Sequence, residues 1–104
     1  MTKPELLDIV ELLVNLPDQK QFVGGQGTIV ECYDDDHFEV EFSNEDGETI
    51  ALCPLSSQQF IVVWKATNKQ WLTVPDKVNA LINNLSQEKQ EEVLDFARFI
   101  YQKA

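Results

Sequence analysis

Residues 31–53, ECYDDDHFEVEFSNEDGETIALC, decide the fold. Phe38, Val40 and Phe42 alternate with His37, Glu39 and Glu41. A period of two marks a half-buried strand with one apolar and one acidic face. Asp34-Asp35-Asp36 before it reads as a turn. Ser43–Gly47 after it is another, with Asp46-Gly47 a hairpin signal. Glu48–Cys53 is the returning strand, which Pro54 closes. The same stretch holds nine carboxylates and no lysine or arginine between its first residue and Glu48: Glu31, Asp34, Asp35, Asp36, Glu39, Glu41, Glu45, Asp46 and Glu48. Because they sit on a patterned element, they predict an acidic surface on a folded domain, not a disordered acidic tail.

Upstream, Gly24, Gly25 and Gly27 read as turn glycines feeding a β-branched strand, Thr28–Tyr33. They do not form a phosphate loop, since no lysine follows them and no helix is expected there. Downstream, residues 55–59 allow one helical turn, and Phe60–Trp64 is an almost wholly apolar strand. Strand parity places Cys32 with Val30 toward the core, and Ile50 with Leu52 inward, so that Cys53, Ala51, Ile29 and Tyr33 point outward. The segment Ile9–Val14 is ambiguous: its apolar residues suit either a strand or, with Leu6, one helix face. Thr2 and Glu5 have capping-box spacing, so residues 2–7 could start a helical turn. Pro17 ends the segment.

Four or five short strands with tight turns predict a small antiparallel barrel of SH3-like topology over residues 1–64. Residues 65–74 read as a connector. Within 75–104, Pro75 opens a helix with Val78, Leu81, Ile82 and Leu85 on one stripe. Ser86 caps a second helix, to about Gln102, with Val93, Phe96, Ala97 and Ile100 on one face. The fold class is therefore mainly β with a C-terminal α-helical hairpin. Two short helices cannot bury such stripes between themselves, so they must pack on the barrel or on another chain. Trp64 and Trp71 flank the connector, either covering the barrel–helix seam or serving as interface anchors.

The 104 residues carry a formal charge of −10. Residues 1–74 hold thirteen acids and four bases, whereas 75–104 hold five and four. Such a field repels nucleic acid and anionic lipid and attracts basic protein surfaces. No apolar run reaches membrane-spanning length and no signal-peptide pattern opens the chain. Two cysteines, neither in a C-x-x-C pair, and one histidine do not make a zinc site, and free thiols fit a reducing cytoplasm.

No constellation amounts to an active site. Asp34–Asp36 could catch a hard cation, but Phe38 and Val40 stand where a calcium loop needs Asp or Asn. Cys32 and His37 lie across a short turn, yet no third residue orients the histidine. Glu39 and Glu41 lack the cleft that paired-carboxylate chemistry needs. The expectation is a non-enzymatic protein with no cofactor or metal.

The pieces LLDIVELLVNLPD, GGQGTIVECY and FEVEFSNEDGETIALCPLSSQQF resemble domain-of-unknown-function family 4926, a mainly cyanobacterial family with small SH3-like barrel character. The resemblance covers roughly residues 5–63 and implies that residues 8–14 form the first strand. The tail VNALINNLSQEKQEEVLDFARFIYQKA is similar to domain-of-unknown-function family 2281, through Leu85, Glu92, Val93, Leu94, Asp95, Phe96, Phe99 and Ile100. Modules of that kind often look like parts of toxin–antitoxin pairs. These readings imply a binding protein whose nine carboxylates cover a basic partner, such as a small toxin, with Trp71, Val93, Phe96, Phe99 and Ile100 as apolar anchors. The alternative is an assembly or regulatory subunit acting through its helices, as a homodimer or docked on a larger complex.

Overall fold

The alternation of Phe38, Val40 and Phe42 is realised as strand β3, His37–Ser43, whose three apolar side chains are buried. A computed structural model describes residues 3–103 of the chain. Among them six strands form one antiparallel sheet: β1 Ile9–Leu12, β2 Gln26–Cys32, β3, β4 Thr49–Ser56, β5 Phe60–Lys65 and β6 Gln70–Trp71. Their order is β4-β3-β2-β1-β5-β6. Two helices follow, α1 Val74–Asn83 and α2 Gln87–Gln102. The architecture is mainly β with a helical tail.

The inner faces of β1 to β5 curl around one core, in which Val10, Leu12, Ile29, Phe38, Val40, Phe42, Ala51, Cys53, Leu55, Phe60 and Val62 pack together. Phe38 and Phe60 meet edge to face, with ring centroids 5.6 Å apart. The sheet is not closed into a barrel, which corrects the expected architecture. Closure needs β4 to pair with the far side of the sheet, but the chain passes from β4 to β5 through a 3-10 turn, Ser57–Gln59. β4 is left as an edge.

Strand parity is corrected at three places. On β4, Ala51, Cys53 and Leu55 face the core, while Ile50 and Leu52 are exposed. The register on β3 decides this, pairing Phe42 with Ala51, Val40 with Cys53 and Phe38 with Leu55. On β2, Ile29 is buried opposite Val40, and a register shift between Ile29 and Glu31 then sets Cys32 opposite Phe38. That places Cys32 at the rim of the inner face, where it is exposed. Of the four expected outward residues, only Tyr33 is exposed. Pro54 does not end β4 but lies within it. An edge strand tolerates proline where the missing N–H faces the free side.

The ambiguous segment is a strand, Ile9–Leu12. Ahead of it, Glu5–Asp8 make a single turn with Leu7 at a φ of 72°. Thr2 lies outside the described residues. Pro17 opens a 3-10 turn, Pro17–Gln19. Gly27 is within β2 instead of a turn: a Cβ there would stand 2.7 Å from Val40 Cγ1 and 2.9 Å from the Glu41 carbonyl oxygen. The expected connector contains β6, whose Trp71 pairs with Trp64 at a ring distance of 6.4 Å.

β5 is buried on both faces because α1 packs on it. Phe60 and Val62 join the core, and Ile61 and Val63 lie on the opposite face. Thr73 and Asp76 form a reciprocal capping box at the start of α1. The Ser86 side chain accepts from Lys89 N at the start of α2. Neither helix contains a buried residue. The helical stripes are thus not buried in a packed hairpin. The N-terminal segment is pinned by Asp8, which is fully buried, with Oδ2 at 2.6 Å from Lys65 Nζ and Oδ1 accepting from Ala66 N at 2.9 Å.

Candidate functional site: an acidic strip beside an open sheet edge

The pleat sends Glu39 and Glu41 of β3 to the face opposite the core. Their cross-strand partners extend that face. Glu31 of β2 stands directly opposite Glu39, and Thr28 opposite Glu41. On the other side Pro54 stands opposite Glu39, and Leu52 opposite Glu41. Three carboxylates are therefore bordered by a partly apolar strand, with Ile50 56% and Leu52 53% exposed.

The other six carboxylates occupy the two hairpin tips that β3 joins. Asp34, Asp35 and Asp36 lie in the β2–β3 turn; Glu45, Asp46 and Glu48 lie in the β3–β4 turn. The nine form a strip running from tip to tip, not a single flat face. Both turns explain their residue choice. Asp34 Oδ1 accepts from Asp36 N at 2.7 Å, and the carboxylate lies 2.9 Å from His37 Nδ1. The hydrogen bond from the Asp36 backbone, then that with His37, holds the Asp34 carboxyl below the usual carboxylate range. In the other turn, Asn44 Oδ1 accepts from Asp46 N and Glu48 N, each at 2.9 Å, and Gly47 takes a φ of 81° that favours glycine.

Cationic neutralisation is sparse. Among the described residues, the one lysine or arginine within ion-pair reach of the nine carboxylates is Lys3, 3.6 Å from Asp35, and both side chains are exposed. Glu39 accepts from the Tyr33 hydroxyl at 2.7 Å, and the resulting hydrogen bond raises the Tyr33 pKa. Glu31 and Glu39 face one another as like charges, an arrangement that costs stability.

The backbone beside the strip is open. Ser57 N donates to the Asp36 carbonyl at 2.9 Å, which fixes the alternation of bonded pairs along β3–β4. By that alternation Ala51, Cys53 and Leu55 bond to β3. Ile50, Leu52 and Pro54 turn their backbone groups to the free edge. Sequence reading missed this edge, because it depends on which strand ends the sheet.

Other candidate residues are placed apart. Trp71 is exposed on β6, and Val93, Phe96, Phe99 and Ile100 are on α2; the structure does not bring them onto the acidic strip. His37 is engaged by Asp34, and burial followed by the neighbouring Glu31 charge raises the Cys32 thiol pKa, which opposes a nucleophile–base pair. No cluster of three or more His, Cys, Asp or Glu among the described residues is arranged to hold a metal ion. A cavity of about 310 Å³ lies where α1 meets β5, floored by Phe60, Ile61 and Ala80 and rimmed by Lys3, Asp35 and Asp36. No helix among the described residues is long and apolar enough to cross a membrane.

The domain of unknown function DUF4926 matches residues 6–62, more than half of the chain. The chain belongs to the DUF4926 family. The match spans β1 through β4 and the first half of β5, so it contains the whole acidic strip and stops before the helices. No curated protein and no solved structure matches the chain.

Proposed function

We propose that this DUF4926 chain is a non-enzymatic binding module whose acidic strip receives a basic surface of another protein. The observation that carries the reading is the pairing of Glu31 with Glu39 on adjacent strands, beside Glu41, with no lysine or arginine among the described residues in ion-pair reach of the three. Self-repulsion of this kind is relieved when a lysine- or arginine-bearing surface docks. Ile50 and Leu52 on the next strand supply apolar contact at the border of the strip, where desolvated anchors slow release. The similarity of the tail to family 2281 favours an antitoxin- or immunity-type role, in which the chain covers a small basic toxin in the cytoplasm.

The test is affinity capture from the native host at low ionic strength, with the full chain and a Glu39→Lys/Glu41→Lys variant side by side. The reading expects a basic protein retained by the first and lost by the second. Equal retention by both, or capture of no basic protein, contradicts it.

A further inference from the structure

Helix α2 carries an apolar seam that the described residues leave largely uncovered, with Val93 half-buried and Phe96, Phe99 and Ile100 exposed. Val93, Phe96 and Ile100 follow at spacings of three and four, which keeps them on one stripe. Phe96 is 63% exposed, Phe99 57% and Ile100 54%. Local contacts define both ends and the exposed face of the helix. Ser86 caps it, Asp95 and Arg98 pair at 3.3 Å, and Gln90 Nε2 donates to the Ile82 carbonyl at the end of α1. The Phe96 and Phe99 rings stack with centroids 6.4 Å apart, and Lys103 Nζ lies 5.7 Å from the Phe99 centroid.

The charge along α2 indicates what covers the seam. Residues 87–94 hold Glu88, Glu91 and Glu92 against Lys89, whereas residues 95–103 hold Asp95 against Arg98 and Lys103. The first half is net acidic and the second net basic. A second α2 laid antiparallel about Phe96 sets the net-acidic half of each helix beside the net-basic half of the other, with Lys103 falling among Glu88, Glu92 and the one like charge, Lys89, and opposes the two helix dipoles. A parallel copy stacks Glu88, Glu91 and Glu92 on their equivalents. A uniformly basic or acidic partner helix suits only one half. The rest of the chain agrees. Residues 75–104 hold five acids and four bases, so two copies meet through their tails with little repulsion, while the strongly acidic sheets stay apart.

We propose that the chain is a homodimer in which α2 packs antiparallel on α2 of a second copy, with the two-fold axis near Phe96. A pair of 16-residue helices, each about 24 Å long, offers less than the roughly 1,200–2,000 Å² of a standard stable interface. Self-association is therefore expected in the micromolar range. The inference is independent of the acidic strip.

Sedimentation equilibrium of the full chain from about 5 to 500 µM is the test, since micromolar affinity places the transition inside that window. The mass should climb from 11.9 kDa toward twice that value. Phe96→Glu, which removes no buried contact, should weaken association by about 30-fold or more while leaving the circular dichroism of the dilute chain unchanged. Orientation is read in a Cys32→Ser background. Phe96→Cys should cross-link to itself on oxidation. Lys89→Cys should cross-link to Lys103→Cys in a mixture but not to itself. A monomeric mass at the highest concentration, a dimer indifferent to Phe96→Glu, or self-cross-linking of Lys89→Cys each overturns the proposal.

Discussion

Replacing Lys65 with methionine keeps the aliphatic stem and removes the cation that compensates buried Asp8. Asp8 is fully buried, and its Oδ2 lies 2.6 Å from the ammonium, which also bonds Glu5 Oε1 at 2.7 Å and the Lys3 carbonyl at 2.9 Å. After the substitution Asp8 retains, among the described residues, the backbone N–H groups of Ala66 and Glu5, each at 2.9 Å. Leaving one member of a buried pair uncompensated costs about 3–5 kcal/mol. A domain of this size is stable by roughly 5–15 kcal/mol, so the loss is a large fraction of the total. At about 4 °C or more per kcal/mol, the Tm should fall by at least about 12 °C. Urea unfolding followed by tryptophan fluorescence reads the change, since Trp64 adjoins Lys65 and pairs with Trp71.

The same pair has a pH signature. Burial pushes the Lys65 pKa down, but the hydrogen bonds it donates to Asp8 and Glu5, reinforced by their charges, outweigh it and leave the pKa raised above 10.5. A raised lysine pKa contributes stability that is fully present below the unfolded value and is lost as pH rises through the folded one. The native chain should therefore lose stability above about pH 10.5 more steeply than Lys65→Met. A destabilisation below about 1 kcal/mol, the range of exposed pairs, would refute the reasoning. So would identical alkaline slopes in the two proteins.

Gly27→Ala should cost about 1–3 kcal/mol, because its Cβ would press on Val40 and the β3 backbone; denaturant titration checks it. Glu31→Gln should stabilise the chain by about 0.2–1 kcal/mol at low salt and much less at 1 M salt, where like-charge repulsion across β2–β3 is screened. Thiol labelling of the native chain should modify exposed Cys32 and spare buried Cys53 until unfolding. Partial desolvation of the Cys32 thiol at the rim of the core, then the nearby Glu31 charge, raises its pKa although the residue is exposed, so its labelling rate should keep increasing as pH rises past 9.0; the pH–rate profile checks this.

The legible parts of the fold are those set by local chemistry. Phe38, Val40 and Phe42 could only be one face of a strand, Ser43–Gly47 reads as a tight turn, and Pro75 and Ser86 mark helix starts that the structure reproduces. What escaped was set by pairing. Ile50 and Leu52 are more apolar than Ala51 and Cys53, so composition favoured the wrong parity on β4; only the register on β3 puts the smaller residues inside. Pro54 looked like a terminator because nothing local says that β4 is an edge.

The acidic strip was half legible. Alternation placed Glu39 and Glu41 together, but Glu31 reaches Glu39 only through the irregularity after Ile29. Buried Asp8 carried no signal at all. Its partner lies 57 residues away at the end of β5, a contact that exists only once β1 and β5 are paired.

Stopped-flow measurement of binding to the captured basic protein, in buffers from about 50 to 500 mM salt, bears most directly on the acidic strip as a docking surface. The association rate constant should fall by about tenfold or more across that range, and Glu39→Lys/Glu41→Lys should flatten the dependence. A rate constant that is insensitive to salt, or the same steep dependence in the variant, would contradict electrostatic docking on β2–β4.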